Sequence, residues 1–327
     1  MTDSDSILLG DIGGTNARFA MLNRGTIGPI EYIGVAGCSG VIEAIRKYLG
    51  GRVENVPVKQ AVLGLAGTVE NNRCEMTNSG WIVDVPMLQD VFDFQEVRLF
   101  NDFEALAWSL PHLDAADLLP LGGSPPVSHA PILVIGPGTG FGASCLLTRN
   151  GRPVVVASEA GHSTLPATSR REDEIVEVLR GRFGHVSIER AISGPGLVNL
   201  YEALAVVDGA AIPTRDGSSI TQAALNDDCS FSRSALDMFC AMLGTVAGNL
   251  ALTFCARGGV YIAGGIVHRF PEYFARSEFR ARFEAGGRYH AYLHDIPVNL
   301  IRRPDTTFLG LKALIADRPA ATAAPAQ

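Results

Sequence analysis

Ile7–Leu22, ILLGDIGGTNARFAML, decides how the rest of the chain is read. An apolar run ends in Asp11, two glycines and a threonine follow, and a second apolar run begins. The layout predicts a β-hairpin whose turn accepts a phosphate. Gly13 and Gly14 carry no Cβ, so the backbone there can take positive φ and approach a ligand closely. Their N–H groups can point at an anion as a backbone nest. Asp11 at the mouth suits a hydrated Mg²⁺, which prefers carboxylate oxygen and keeps several of its waters. The same residues, taken alone, also fit an ordinary hairpin closed by a Gly-Gly turn.

Around this stretch lie 327 residues, enough for one large domain or two of ordinary size. With 47% hydrophobic and 19% charged residues the chain can build a substantial core. A net charge of −7 argues against a general nucleic-acid or membrane-surface binder, which would carry basic patches. The arginine-rich segment Arg276–Arg303 also contains Glu278, Glu284 and Asp295 and reads as a solvated helical face. Cys38, Cys74, Cys145, Cys229, Cys240 and Cys255 are scattered without a C-x-x-C, so neither a disulfide framework nor a zinc site is suggested. The opening MTDSDS has none of the basic and apolar character of a signal peptide, and a cytoplasmic enzyme is the expectation. Met238–Ala256 is nearly uncharged and contains Gly244-x-x-x-Gly248, the pattern of a membrane helix. Asn249 inside it, and the lack of a second such run, favour a helix buried in a large soluble domain.

Downstream of the hairpin, Thr26–Val35 reads as a third strand. Ser39–Leu49 has helical apolar spacing with Ser39 as its cap. Gln60–Ala66 is a strand, Asn71-Asn72 a hairpin turn within Val69–Thr77, Pro86–Phe92 a helix, Val97–Phe100 a strand and Asp102–Leu110 a helix. Residues 114–130, rich in Pro, Gly and Ser, mark a boundary. The second half opens as the first did. A strand, Ile132–Ile135, runs into GPGTGFG at Gly136–Gly142, then a strand, an Asn150-Gly151 turn and another strand. LLGDIGGTNARFAM and LVIGPGTGFGASCL overlay with one gap, which suggests two related halves. Helices follow over Glu172–Phe183, Gly194–Val206, Ile220–Leu225 and Ser232–Ala256. A strand at Gly259–Ala263 leads into Gly264-Gly265, and Val298–Ile301 and Phe308–Ile315 close the fold as strand and helix. The Ala/Pro-rich tail 319–327 is expected to be disordered.

Three glycine clusters compete as nucleotide motifs. No G-x-x-x-x-G-K-[ST] occurs, and Lys47, Lys59 and Lys312 all lie away from the glycines, which excludes a P-loop. Gly138-x-Gly140-x-x-Ala143 imitates a dinucleotide fingerprint, but a parallel crossover needs about a dozen residues of helix. Here the following segment is short, strand-like and broken by Asn-Gly. What remains is two glycine hairpins and a third motif downstream, arranged to grip a polyphosphate by backbone N–H groups from two sides.

At this point the chain resembles the sugar kinase/heat-shock/actin superfamily of ATPases, with GDIGGT at Gly10–Thr15 as first phosphate motif, GPGTGFG at Gly136–Gly142 as second and GGVYIAGGI at Gly258–Ile266 as adenosine motif. Within it the chain is similar to the proteobacterial-type glucokinase family over residues 7–315. Leu99–Phe103 (LFNDF), Ser158–His162 (SEAGH), Gly184–Arg190 (GHVSIER) and Ser193–Tyr201 (SGPGLVNLY) carry the likeness in order. No cysteine-rich zinc motif of the repressor-like sugar kinases is present. Phe141 and Ala160 are small departures, where the family more often has Leu and often has Gly. The resemblance implies an α/β, two-domain, actin-like (ribonuclease H-like) fold, with mixed sheets flanked by helices and the active site in the interdomain cleft. The domains would be 1–112 with 301–318, and 113–300.

The chemistry implied is transfer of phosphate from ATP to the 6-hydroxyl of glucose, the entry step of glycolysis. From spacing alone Asp102 reads as the N-cap of the helix Phe103–Leu110 ahead of a base; the resemblance reverses this and makes it the catalytic base. Asn101, Glu159, His162 and Glu189 become the sugar ligands alongside Asp102. From spacing alone, Glu159 and His162 would be a surface pair or half a metal site. ATP would lie on Gly10, Asp11, Ile12, Gly13, Gly14, Thr15, Gly138, Thr139, Gly264 and Gly265, with Mg²⁺ held by Asp11 through water. The implied partners are glucose and ATP, with no nucleic acid and no membrane, and the implied assembly is a homodimer. Another hexose, or a non-catalytic sugar sensor, are the alternative readings.

Overall fold

The computed structural model describes residues 6–51, 57–76 and 79–317. Packing divides the chain into two compact units, Met1–Leu113 with Pro304–Gln327, and Asp114–Arg303. The second boundary falls later than the sequence suggests, because the strand Val298–Ile301 pairs with two strands of the second unit. The expected disorder of 319–327 concerns residues outside those described.

The first unit opens with β1 (Ser6–Ile12) and β2 (Asn16–Asn23), paired antiparallel with Asp11 opposite Arg18. The third strand expected over Thr26–Val35 is instead two short ones, β3 (Thr26–Ile27) and β4 (Glu31–Gly34), both on β2. Pro29 between them has no N–H for a ladder, and the Gly28 N–H turns to the Met21 carbonyl at 2.8 Å. Helix α1 (Val41–Gly50) is entered through Gly40, not capped by Ser39; the Ser39 N–H and hydroxyl donate to the Glu43 carboxylate at 2.7 and 2.8 Å. Strand β5 (Val58–Leu65) lies parallel to β1. A small sheet of β6 (Val69–Glu70), β7 (Arg73–Glu75) and β8 (Ile82–Asp84) follows, with Asn71 and Asn72 both at positive φ in its turn. Thr77, where the expected second arm ended, lies outside the described residues. Helix α2 (Val85–Phe92) is capped by Asp84, which accepts from the Met87 N–H at 3.1 Å. Strand β9 (Glu96–Asn101), parallel to β5, runs directly into α3 (Asp102–Ser109). The sheet order is β3-β2-β1-β5-β9.

In the second unit β10 (Leu118–Pro120) precedes the meander β11 (Ile132–Pro137), β12 (Phe141–Arg149) and β13 (Arg152–Ser158), the last two joined at Asn150-Gly151, both at positive φ. Helices α4 (Arg170–Phe183), α5 (Gly194–Val207), α6 (Gly217–Leu225) and α7 (Ser230–Phe254) follow, then β14 (Gly259–Ile262). The unit closes with α8 (Pro271–Arg276), α9 (Phe279–Glu284), α10 (His290–Asp295) and β15 (Val298–Ile301). Its sheet runs β10-β15-β14-β11-β12-β13. Helix α7 is long and apolar enough to cross a membrane, yet 67% of its apolar window is buried. It packs against α5, α6 and α9, and a Cβ on Gly248 would meet the Phe283 carbonyl at 2.6 Å, so the G-x-x-x-G pair seats α9. Helix α11 (Thr306–Ala316) returns to the first unit and packs on α3, where Gly310 meets the Ala105 backbone.

The sequence echo extends to topology. Each sheet contains an antiparallel hairpin closed by three residues, Gly13–Thr15 or Gly138–Gly140. Each then continues from the first strand of that hairpin into two parallel strands.

Candidate active site

In the first unit, β1, β5 and β9 are parallel, so their carboxyl ends finish side by side. Asp11 lies beside Gly64 and Gly64 beside Phe100; Ile12 lies beside Leu65 and Leu65 beside Asn101. Open α/β sheets bind ligands off this edge. Asp102 is next in the chain, its Cα 3.7 Å from where a Cβ on Gly64 would stand. The cap that the sequence places at Asp102 is instead Asn101, its Oδ1 accepting from the N–H groups of Phe103 and Glu104 at 2.9 and 3.1 Å. The Asn101 amide donates to the Gly67 carbonyl at 3.2 Å. Asp102 therefore sits inside the first helical turn, where the helix dipole favours a carboxylate, with Oδ1 accepting from the Phe103 N–H at 2.9 Å.

The first phosphate motif differs in detail from its sequence reading. Gly13 does not take positive φ, and its N–H turns inward to the Asn16 carbonyl at 2.9 Å, closing the hairpin. Gly10 is a packing glycine: a Cβ there would stand 2.6 Å from Leu63 and 3.1 Å from Phe19. Ile12 is fully buried. Asp11, 5% exposed, is ion-paired with Arg18 across the hairpin. Arg18 also holds Asp305 at 2.9 Å, and Asp305 accepts from the Tyr32 hydroxyl at 2.7 Å. Burial works against the Arg18 cation, but Asp11 and Asp305 reverse this and hold it above its ordinary value. Arg18 engages Oδ2 of Asp11, and a carboxylate is the kind of donor a hydrated Mg²⁺ would take.

In the second unit, the Glu159–His162 and Glu189 segments lie side by side. Leu165 N–H bonds the Val186 carbonyl at 3.0 Å and Ile188 N–H the Ser163 carbonyl at 2.9 Å. Glu159 and His162, each 55% exposed, face one another at 3.9 Å. Among the described residues no group of three or more His, Cys, Asp or Glu could hold a metal ion. Glu189 accepts from the Phe141 N–H at 2.9 Å and lies directly over Gly140. The three carboxylate and imidazole side chains thus border the start of β12.

The nucleotide motifs of this unit also meet. The Gly138 N–H closes its own turn onto Gly140 at 2.8 Å, while its carbonyl accepts from the Gly194 N–H at 2.9 Å, at the head of α5. Ser193 caps that helix, accepting from the Gly196 N–H at 2.9 Å. A helix N-terminus beside a glycine turn is an anion site. Gly264, at φ +89°, is pressed on Pro137, and a Cβ on Gly136 would stand 2.7 Å from the Ala263 backbone. The second phosphate motif and the adenosine motif are therefore in backbone contact.

Sequence reasoning missed Arg18, Asp305 and the head of α5. The Arg18 pairing was available only from hairpin register, which sets it opposite Asp11. Ser193 carried the ordinary cap signal of a serine before Gly-Pro-Gly.

The glucokinase family model matches residues 8–318. A glucokinase of Paramagnetospirillum magneticum is 42% identical over 96% of this chain and 98% of its own. One of Nitrobacter hamburgensis is 42% identical over 94% and 96%. The crystal structure of a glucokinase from an Antarctic psychrotroph superposes with a TM-score of 0.82 at 34% identity, covering 96% of this chain and 99% of that one. The fold is that of the actin-like ATPases. With paired glycine hairpins, an aspartate seated behind a capped helix start, and relatives matched along almost their whole length, the chain belongs to the glucokinase family.

Proposed function

We propose that the chain transfers the γ-phosphoryl group of ATP to the 6-hydroxyl of D-glucose, yielding glucose 6-phosphate and ADP. The observation that carries the mechanism is the division of labour at the start of α3. Asn101 satisfies the helix cap, so the neighbouring Asp102 is not required for it. Asp102 takes the proton of the 6-hydroxyl as that oxygen attacks phosphorus, the general-base role in phosphoryl transfer. Asn101 offers its second amide hydrogen to the sugar. Glu159, His162 and Glu189 hold the remaining hydroxyls, and Glu189 is kept in place by Phe141. Such a site rejects sugars that leave its polar groups unpaired.

ATP lies on Gly14, Thr15 and Thr139, with the head of α5 turned to the phosphates and Gly264-Gly265 at the adenosine. Asp11 would hold Mg²⁺, which would supply neutralisation of charge on the phosphates. The protein works in the cytoplasm as a homodimer at the entry to glycolysis. Its six cysteines are all free, as a reducing compartment keeps them. The test is ADP release with ATP, Mg²⁺ and single hexoses. Glucose should be turned over with the highest kcat/KM; no response to glucose overturns the proposal.

A further inference from the structure

The loop after the adenosine motif holds a histidine that the reading above does not use. His268 lies on the 3-10 turn Val267–Arg269, and each of its ring nitrogens faces a carbonyl oxygen. Nδ1 meets the Gly264 carbonyl at 2.7 Å, and Nε2 meets the Ile301 carbonyl at the end of β15. Carbonyl oxygens only accept, so the imidazole must donate; the neutral ring carries one N–H and serves one carbonyl at a time, and with that proton on Nδ1 it donates to Gly264. The ring thus lies between the turn after β14 and the last residue of the neighbouring strand.

The consequence follows from peptide geometry. A trans peptide is planar, with its C=O and the next N–H pointing in opposite directions. Gripping the Gly264 carbonyl therefore fixes where the Gly265 N–H points, away from His268. Gly264, at φ +89°, has the Pro137 carbonyl 2.3 Å from where a Cβ would stand. Gly265 is exposed, and a Cβ built on it would meet nothing within 4 Å. We infer that His268 is a positioning residue for the nucleotide: it sets the Gly264–Gly265 peptide so that the Gly265 N–H presents to the adenosine end of ATP. This rests on the assignment of Gly264-Gly265 to the nucleotide. His268 is itself exposed, so replacing it opens no core.

The test uses the full-length protein with three variants. H268A should raise KM for ATP, and Kd for ATP in equilibrium titration without glucose, by about five- to tenfold. Its kcat, its KM for glucose and its melting temperature should stay near wild type. H268Q, which keeps one donor group, should fall between the two. Gly265→Leu, which adds a side chain into the open space, should raise KM for ATP at least tenfold. If Gly265→Leu weakens ATP and H268A does not, the role of His268 is overturned while the nucleotide assignment stands. If neither variant affects ATP, the assignment of Gly264-Gly265 fails and the inference falls with it. A uniform loss of kcat and melting temperature in H268A would mark a purely structural tie and also overturn it.

Discussion

The Glu189 carboxylate lies across Gly140 with no space between them for a methyl group. The same carboxylate oxygen that occupies this space accepts the Phe141 N–H, so position 140 and the pose of Glu189 are one choice. Gly140→Ala should therefore push Glu189 off Phe141 and raise KM for glucose at least tenfold, with a stability loss of about 1–2 kcal/mol from the broken bond. Steady-state kinetics beside thermal unfolding check this; an unchanged KM for glucose removes Glu189 from the sugar site.

Asp102→Asn should lower kcat by a factor of about 10² or more, the usual contribution of a general base, while calorimetry finds glucose affinity within a few-fold of wild type. A fall of less than about tenfold assigns the base elsewhere.

Asn101→Ala removes the cap of α3 and should cost about 1 kcal/mol of stability. Because the cap also sets the helix start on which Asp102 rides, kcat should fall as well. Asn101→Asp keeps a capping oxygen and should recover stability, but not glucose affinity, since the amide donor is gone. Recovery of both would reduce Asn101 to a cap.

Glu172, 3% exposed, bonds Arg282 at 2.7 Å and accepts from the Thr168 N–H at 2.7 Å. Burial alone would push its carboxyl up, but Arg282 and Thr168 more than reverse this and hold it below the ordinary glutamate value. A lowered folded value stabilises the protein above the unfolded value of about 4.3, and that stability is lost as pH falls through the folded one. Glu172→Gln should thus cost about 1–3 kcal/mol at neutral pH, and the gap to wild type should close on acidification below about pH 4. Urea unfolding at several pH values reads both; a gap that widens in acid contradicts the pairing.

Local chemistry made much of the fold legible. Asn71-Asn72 and Asn150-Gly151 announce their turns because the residues themselves favour positive φ, and both hairpins lie where that signal puts them. The caps were less legible. Ser39 and Gly40 are both acceptable helix starts, and the backbone enters at Gly40. Asn101 and Asp102 are adjacent strong cap formers, and only the phase of the chain leaving β9 decides between them. The direction of the Gly13 N–H had no local signal at all, because hairpin closure and anion binding compete for the same group. Arg18 was invisible for another reason: a pairing across strands exists only once register is set.

The contact between Gly136 and Gly264 has a bearing on how this family drifts. Gly136 excludes a side chain because of the Ala263 backbone and Gly264 because of the Pro137 carbonyl, so no replacement at one can be rescued by a side-chain change at the other. Selection for folding alone would keep both. A descendant that had lost its kinase activity would still display the glycine signature intact, so those glycines report the fold and not the activity.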